Sequence, residues 1–142
     1  MRAYGVIAAL TLLPYAHVAW AQQAPDRRIT ESGKTVTVYS ISWPTPISNV
    51  VADVEVCAGD KAPQGTFAFP SWFQLHFADG SVIGSAGTAK QPNLEITPLK
   101  AKQCARGWIQ FAVVVGQKPV AIHYHELSKD KKPIAWPVKQ TR

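Results

Sequence analysis

The chain has 142 residues, 46% of them apolar, with 15 Lys and Arg against 9 Asp and Glu. That length suits one domain around one core. The net charge of +6 is spread thinly, which argues against nucleic-acid binding, where a dense basic patch interleaved with aromatics is needed; it favours solubility and loose attraction to anionic surfaces such as cell envelopes.

The first residues read as a secretory signal peptide over 1–21. Arg2 supplies a positive start, residues 6–13 are the most apolar stretch, Pro14 breaks any helix, and Ala19-Trp20-Ala21 before Gln22 is a small-x-small cleavage signal. The apolar run is shorter than the roughly 20 residues a membrane-spanning helix needs. No Cys follows it to carry a lipid, so no stable membrane anchor is expected after cleavage. The protein is therefore expected to be secreted or periplasmic. Removing 21 residues from 142 leaves 121, and because Arg2 is the only formal charge lost, the remainder keeps about +5. Residues 22–33 are polar, contain Pro25 and lack periodicity, so a flexible N-terminal arm is expected.

From residue 34 the pattern is that of short strands. Over 34–43, Val36, Val38 and Ser40 fall on one face and Thr35, Thr37, Tyr39 and Ile41 on the other. Over 49–57, Val50, Ala52, Val54 and Val56 alternate with Asp53 and Glu55, which implies a sheet with one buried and one wet face. A short extended piece at 67–69 is followed by a strand over 72–77, with Phe73, Leu75 and Phe77 on one stripe and Trp72, Gln74 and His76 on the other. Asp79-Gly80 marks a hairpin returning through 81–83. Residues 84–93 read as a mobile loop and 94–97 as a short strand closed by Pro98. The segment 106–115 is the longest apolar-rich one, with Ile109, Phe111, Val113 and Val115 expected in the core. A turn at 116–119, a strand over 120–127, a polar loop over 129–133 and an edge strand over 134–138 complete the chain, with Pro137 tolerated at an edge. No window of ten residues carries an apolar helical period. The expected fold is all-β: an antiparallel β-sandwich of about seven short strands over 34–138, with 139–142 as a tail. A small barrel is the alternative.

Cys57 and Cys104 are the only cysteines. In an exported chain an even pair is expected to form a disulfide. It would close a loop of about 48 residues, which the chain-entropy picture equates with roughly 4 kcal/mol.

The run Cys104-Ala105-Arg106-Gly107-Trp108-Ile109-Gln110-Phe111, the earlier Phe73, Leu75 and Asp79-Gly80, the segment Val54-Glu55-Val56-Cys57-Ala58-Gly59, and the later Tyr124 and Trp136 occur in an informative order. In this the chain resembles the telokin-like, immunoglobulin-type secreted domains of bacteria, a group that includes a mycobacterial secreted antigen. The likeness spans roughly 34–138. The proline that often follows the Gly-Trp strand in that group is absent, with Val114, Val115 and Gly116 in its place. The resemblance implies an immunoglobulin-like sandwich and an exported protein without catalytic residues.

Three readings of function remain. No G-x-S-x-G elbow is present, and Asp53 and Glu55 lie on an open strand face with no cleft for paired-carboxylate chemistry. The expected class is thus non-enzymatic and needs no cofactor. It is a binding module for an unknown protein or envelope component, with Trp72 and Trp108 as candidate anchors because both alternate against the apolar stripes. A second reading is a transition-metal site on His123 and His125, which share one strand face at period-two spacing, with His76 or Glu126 as a third ligand. An enzyme of unknown type is the last alternative.

Overall fold

A computed structural model describes residues 25–126 and 132–141. The expected leader and the centre of the basic loop lie outside the described residues. Among these residues ten strands follow in order: β1 (Asp26–Ile29), β2 (Thr35–Ser42), β3 (Val50–Cys57), β4 (Phe67–Ala68), β5 (Phe73–Phe77), β6 (Val82–Gly84), β7 (Thr97–Pro98), β8 (Cys104–Phe111), β9 (Pro119–Tyr124) and β10 (Ile134–Pro137). Among the described residues, a single 3-10 turn, Pro70–Trp72, leads into β5. One sheet runs β1-β2-β3-β8, the other β10-β9-β5-β6, and β4 pairs with β7; all pairings between strands are antiparallel. The all-β expectation holds.

Alternation builds the core. Val50, Ala52, Val54 and Val56 on β3 face inward, with Ile109 and Phe111 beside them on β8. Phe73, Leu75 and Phe77 on β5, Ile122 and Tyr124 on β9 and Trp136 on β10 supply the other sheet's share of the same apolar cluster. Each Val, Leu, Ile or Phe among them contributes about 1.5–3 kcal/mol on burial, so the stripes fix which face of each strand points inward.

Three expectations are corrected. Residues 26–29 are a strand rather than a flexible arm. β1 pairs with β2 from Asp26 opposite Val38 to Ile29 opposite Thr35, and Trp136 Nε1 on β10 donates to the Asp26 carbonyl at 3.3 Å. An edge strand needs only backbone pairing, and Asp-Arg-Arg-Ile has no apolar period to betray it. Next, the β2 register shifts between Val38 and Ser40. This bulge at Tyr39 inverts the alternation beyond it, so Ile41, expected on the face opposite Val36 and Val38, lies opposite Ala52 and packs against the core.

Finally, 84–93 is not a free loop. Ala86 and Gln110 exchange two backbone bonds (2.7 and 3.3 Å), Trp108 N–H donates to Pro92 at 2.8 Å, and Leu94 N–H donates to Trp108 at 3.0 Å. The segment passes from the β6 edge of one sheet to the β8 edge of the other and covers an edge that would otherwise present open backbone groups. Gly107 makes the approach possible: a Cβ there would lie 2.3 Å from Leu94 N and 2.4 Å from Asn93 C. Gly107→Ala is therefore expected to lower stability by about 1–3 kcal/mol through overpacking against backbone, read as a lower urea midpoint. An unchanged midpoint would mean that the 92–94 segment is not held against β8.

Candidate functional site

The cysteines form the expected disulfide. Cys57 and Cys104 are directly opposite one another on β3 and β8, so the bond joins neighbouring strands of one sheet. It shares the outer face with Asp53, Glu55, Arg106 and Trp108. Arg106 makes two bonds to the Asp53 carboxylate (3.1 and 2.7 Å) and stacks 3.6 Å from the Tyr39 ring, while Tyr39 O–H donates to Glu55 at 3.1 Å.

The two candidate tryptophan anchors do not come together. Trp72 is half-buried in the 3-10 turn, with its ring against Phe69 and the edge of Tyr124 and the Lys34 ammonium 4.4 Å above it. Trp108 is half-buried on the outer face of β8, opposite Asp53, with Lys90 Nζ 4.1 Å over its ring. Trp72 thus packs on the domain's own side chains, and Trp108 is the one on an outer sheet face.

His123 lies on β9 and His125 just beyond its end, where His125 N–H donates to the Trp72 carbonyl. His123 stacks on His76 of β5, ring centroids 3.6 Å apart and planes 17° from parallel. An imidazole lone pair lies in its ring plane, so two rings stacked this way do not aim at a common ion. Glu126, the other suggested ligand, is buried and pairs with Lys34 at 2.9 Å.

Burial holds the His76 imidazole below its ordinary 6.5; His123 is held down by burial first, then by His76 and His125. The folded protein therefore binds fewer protons here than the unfolded chain. Stability from this pair is full above about pH 6.5 and is lost as pH falls below it. A His76→Gln/His123→Gln variant should show a flatter stability profile between pH 5 and 7 in urea titrations. Parallel profiles for variant and parent would refute the coupling.

The most exposed apolar surface lies at one end of the sheets. The β2–β3 loop, the β5–β6 hairpin, the β8–β9 loop and the C-terminal segment meet there. Asp79-Gly80 forms the expected hairpin, Gly80 at φ +85°, with Asp79 accepting from Ser81 N–H and O–H. β8 ends at Phe111, so Val115, expected in the core, is instead 78% exposed. The cause is a tight turn: Gln117 N–H donates to the Val114 carbonyl at 3.0 Å with Gly116 at φ +88°, the positive-φ third position of a type II turn. Gln117 Oε1 accepts from Val114 N–H, and Gln117 Nε2 reaches Ser81 Oγ at 3.4 Å, tying this turn to the hairpin. Across the end, Trp43 and Thr141 exchange two hydrogen bonds (3.0 and 3.1 Å) and Gln140 Nε2 reaches the Pro44 carbonyl.

Five of the seven exposed large apolar side chains of the described residues sit here: Ile47, Val114 and Val115 on the loops, Val82 and Val120 at the adjoining strand starts. Beside them an open groove of about 550 Å³ is lined by Trp43, Pro46, Lys118, Pro119, Val138 and Lys139. Trp43 is buried, and its Nε1 has no hydrogen-bond partner among the described residues. The sequence signal for this surface is the run Val113-Val114-Val115-Gly116, whose alternation continues the core stripe of β8.

Searches of family models, curated proteins and solved structures found no match to this chain.

Proposed function

We propose that this is an exported, non-enzymatic binding module of immunoglobulin-like build that docks a protein or envelope component through its apolar loop end. The observation that carries it is the concentration of Ile47, Val114 and Val115, on loops at one end, and of Val82 and Val120, at the strand starts beside them, where hydrogen bonds tie the β8–β9 turn to the β5–β6 hairpin. Contiguous exposed apolar surface marks interaction sites, and loops held by a rigid scaffold are where binding residues gather.

The immunoglobulin-like reading has support in the strand order. With β2, β3 and β8 read as strands A, B and E, and β5, β9 and β10 as C, F and G, the sheets follow the A-B-E and C-F-G arrangement of that fold. The covering segment at Ala86 and Pro92 stands where D would pair with E, and β6 extends the second sheet. β1 is an addition outside A. The disulfide departs from the antibody pattern, since it joins B to E within a sheet instead of B to F across the core. Export rests on the leader pattern and on the disulfide, which suits an oxidising compartment.

The test immobilises the protein lacking residues 1–21 and titrates it with envelope extract and its purified fractions. Saturable binding should weaken about tenfold or more in a Val114→Asp/Val115→Asp variant with an unchanged near-ultraviolet circular dichroism spectrum. Equal binding by both proteins would exclude this end as the docking surface. Intact mass of the protein recovered outside the cytoplasm should correspond to a chain starting at Gln22; a mass that retains residues 1–21 would refute cleavage.

A further inference from the structure

Among the described residues, one group of three side chains brings metal-ligating atoms together: Glu55, Cys57 and Cys104, with a carboxylate oxygen and both sulfurs mutually within 4.8 Å. It lies on the outer face of the β3–β8 pair, away from the apolar loop end. We propose that reduction of the Cys57–Cys104 disulfide converts this group into a binding site for a thiophilic divalent cation such as Zn²⁺.

The backbone supports that conversion. Cys57 and Cys104 are the last pair of an eight-residue antiparallel register that starts with Val50 opposite Phe111, and their Cα atoms are 4.0 Å apart. The register is held by backbone bonds and by the inward stripe of Val50, Ala52, Val54 and Val56, none of which needs the sulfur–sulfur bond. After reduction the two sulfurs stay neighbours. Tetrahedral zinc at about 2.3 Å from each thiolate wants them roughly 3.8 Å apart, a small separation from their bonded positions. Glu55 is two residues before Cys57 and so projects from the same strand face. The neighbouring guanidinium of Arg106 is taken up by Asp53, and Glu55 accepts from the neutral Tyr39 hydroxyl. Such an outer partner orients a ligating carboxylate. Two thiolates, one carboxylate and one water complete a four-coordinate shell.

The chemistry balances with a dithiol as reductant. Its thiolate attacks Sγ of Cys104, the exposed member of the pair, and Cys57 leaves as thiolate. The second thiol of the reductant then closes its own disulfide and releases Cys104. Two electrons pass from the dithiol to the protein disulfide. Binding of the cation to both sulfurs displaces two protons in all, so the site forms better as pH rises.

The test uses the whole mature chain, reduced with a phosphine that is then removed under anaerobic conditions, and titrated with Co²⁺ as the spectroscopic probe. The expected result is a thiolate-to-cobalt charge-transfer band that saturates at one ion per chain and is displaced by Zn²⁺. The oxidised protein and a Cys57→Ser/Cys104→Ser variant should show no band. Glu55→Gln should keep the band but bind at least tenfold more weakly. Absence of the band in the reduced protein would overturn the proposal. So would Glu55→Gln binding equal to the parent, or a near-ultraviolet circular dichroism spectrum lost on reduction, which would show that the sheet does not hold the thiolates together.

Discussion

Replacing Glu126 by alanine is expected to destabilise the fold by about 3–5 kcal/mol. Glu126 and Lys34 form an ion pair at 2.9 Å with side chains 1% and 3% exposed. Lys34 Nζ also donates to the Phe67 carbonyl at 3.1 Å and lies over the Trp72 ring, and Ser32 Oγ donates to the Glu126 carboxylate at 3.1 Å. The pair joins the approach to β2 in one sheet to the end of β9 in the other. Removing the carboxylate takes the counter-charge from an ammonium that has already lost its water. The cost is that of a buried ammonium deprived of this carboxylate, which exceeds the net worth of the intact pair. The double replacement Lys34→Met/Glu126→Leu removes both charges at similar volume and should recover most of the loss. Urea unfolding of the parent, both single variants and the double variant decides it. A loss below about 1 kcal/mol in Glu126→Ala would place the pair with exposed salt bridges.

Loss of the disulfide is expected to cost about 2–4 kcal/mol. The bond spans 47 residues of sequence, and the constraint it places on the unfolded chain grows with that span. Against a total stability of about 5–15 kcal/mol for a domain this size, the reduced protein should remain folded at 25 °C but unfold at a clearly lower urea concentration. Matching unfolding curves for Cys57→Ser/Cys104→Ser and the phosphine-reduced parent, both below the oxidised parent, are the expected outcome. Coincidence of all three curves would show that the cross-link contributes nothing.

The β3 and β5 stripes were legible because one-sided burial writes period two directly into the chain. Hairpin chemistry at Asp79-Gly80 was legible for the same local reason. Most of the missed features depend on partners distant in sequence. β1 is a strand because β2 and Trp136 accept it, and nothing within Asp26–Ile29 says so. The Tyr39 bulge depends on the register of β3. Residues 84–94 carry glycines and a proline typical of a loop, and become ordered through β8, where Gly107 leaves room for them. Lys34 and Glu126, 92 positions apart, carry no local sign of their pairing, and Glu126, offered by the sequence as a third metal ligand, is taken up by Lys34 once the sheets close over both. At the loop end, apolar composition resembles core because Val113-Val114-Val115 continues the β8 stripe; Gly116 turns the chain before that stripe can be buried.

The placement of Cys57–Cys104 within one sheet has a mechanical consequence. The N-terminal strands lie in one sheet and the C-terminal strands in the other, so a pull on the two ends loads the seam between the sheets, which the covalent bond does not cross. The sheets can part while the bond stays intact. The 47-residue separation then stays shielded from tension, withholding roughly 160 Å of contour length at 3.3–3.6 Å per residue. A tethered oxidised molecule would therefore yield at the same seam as a reduced one but extend by that much less.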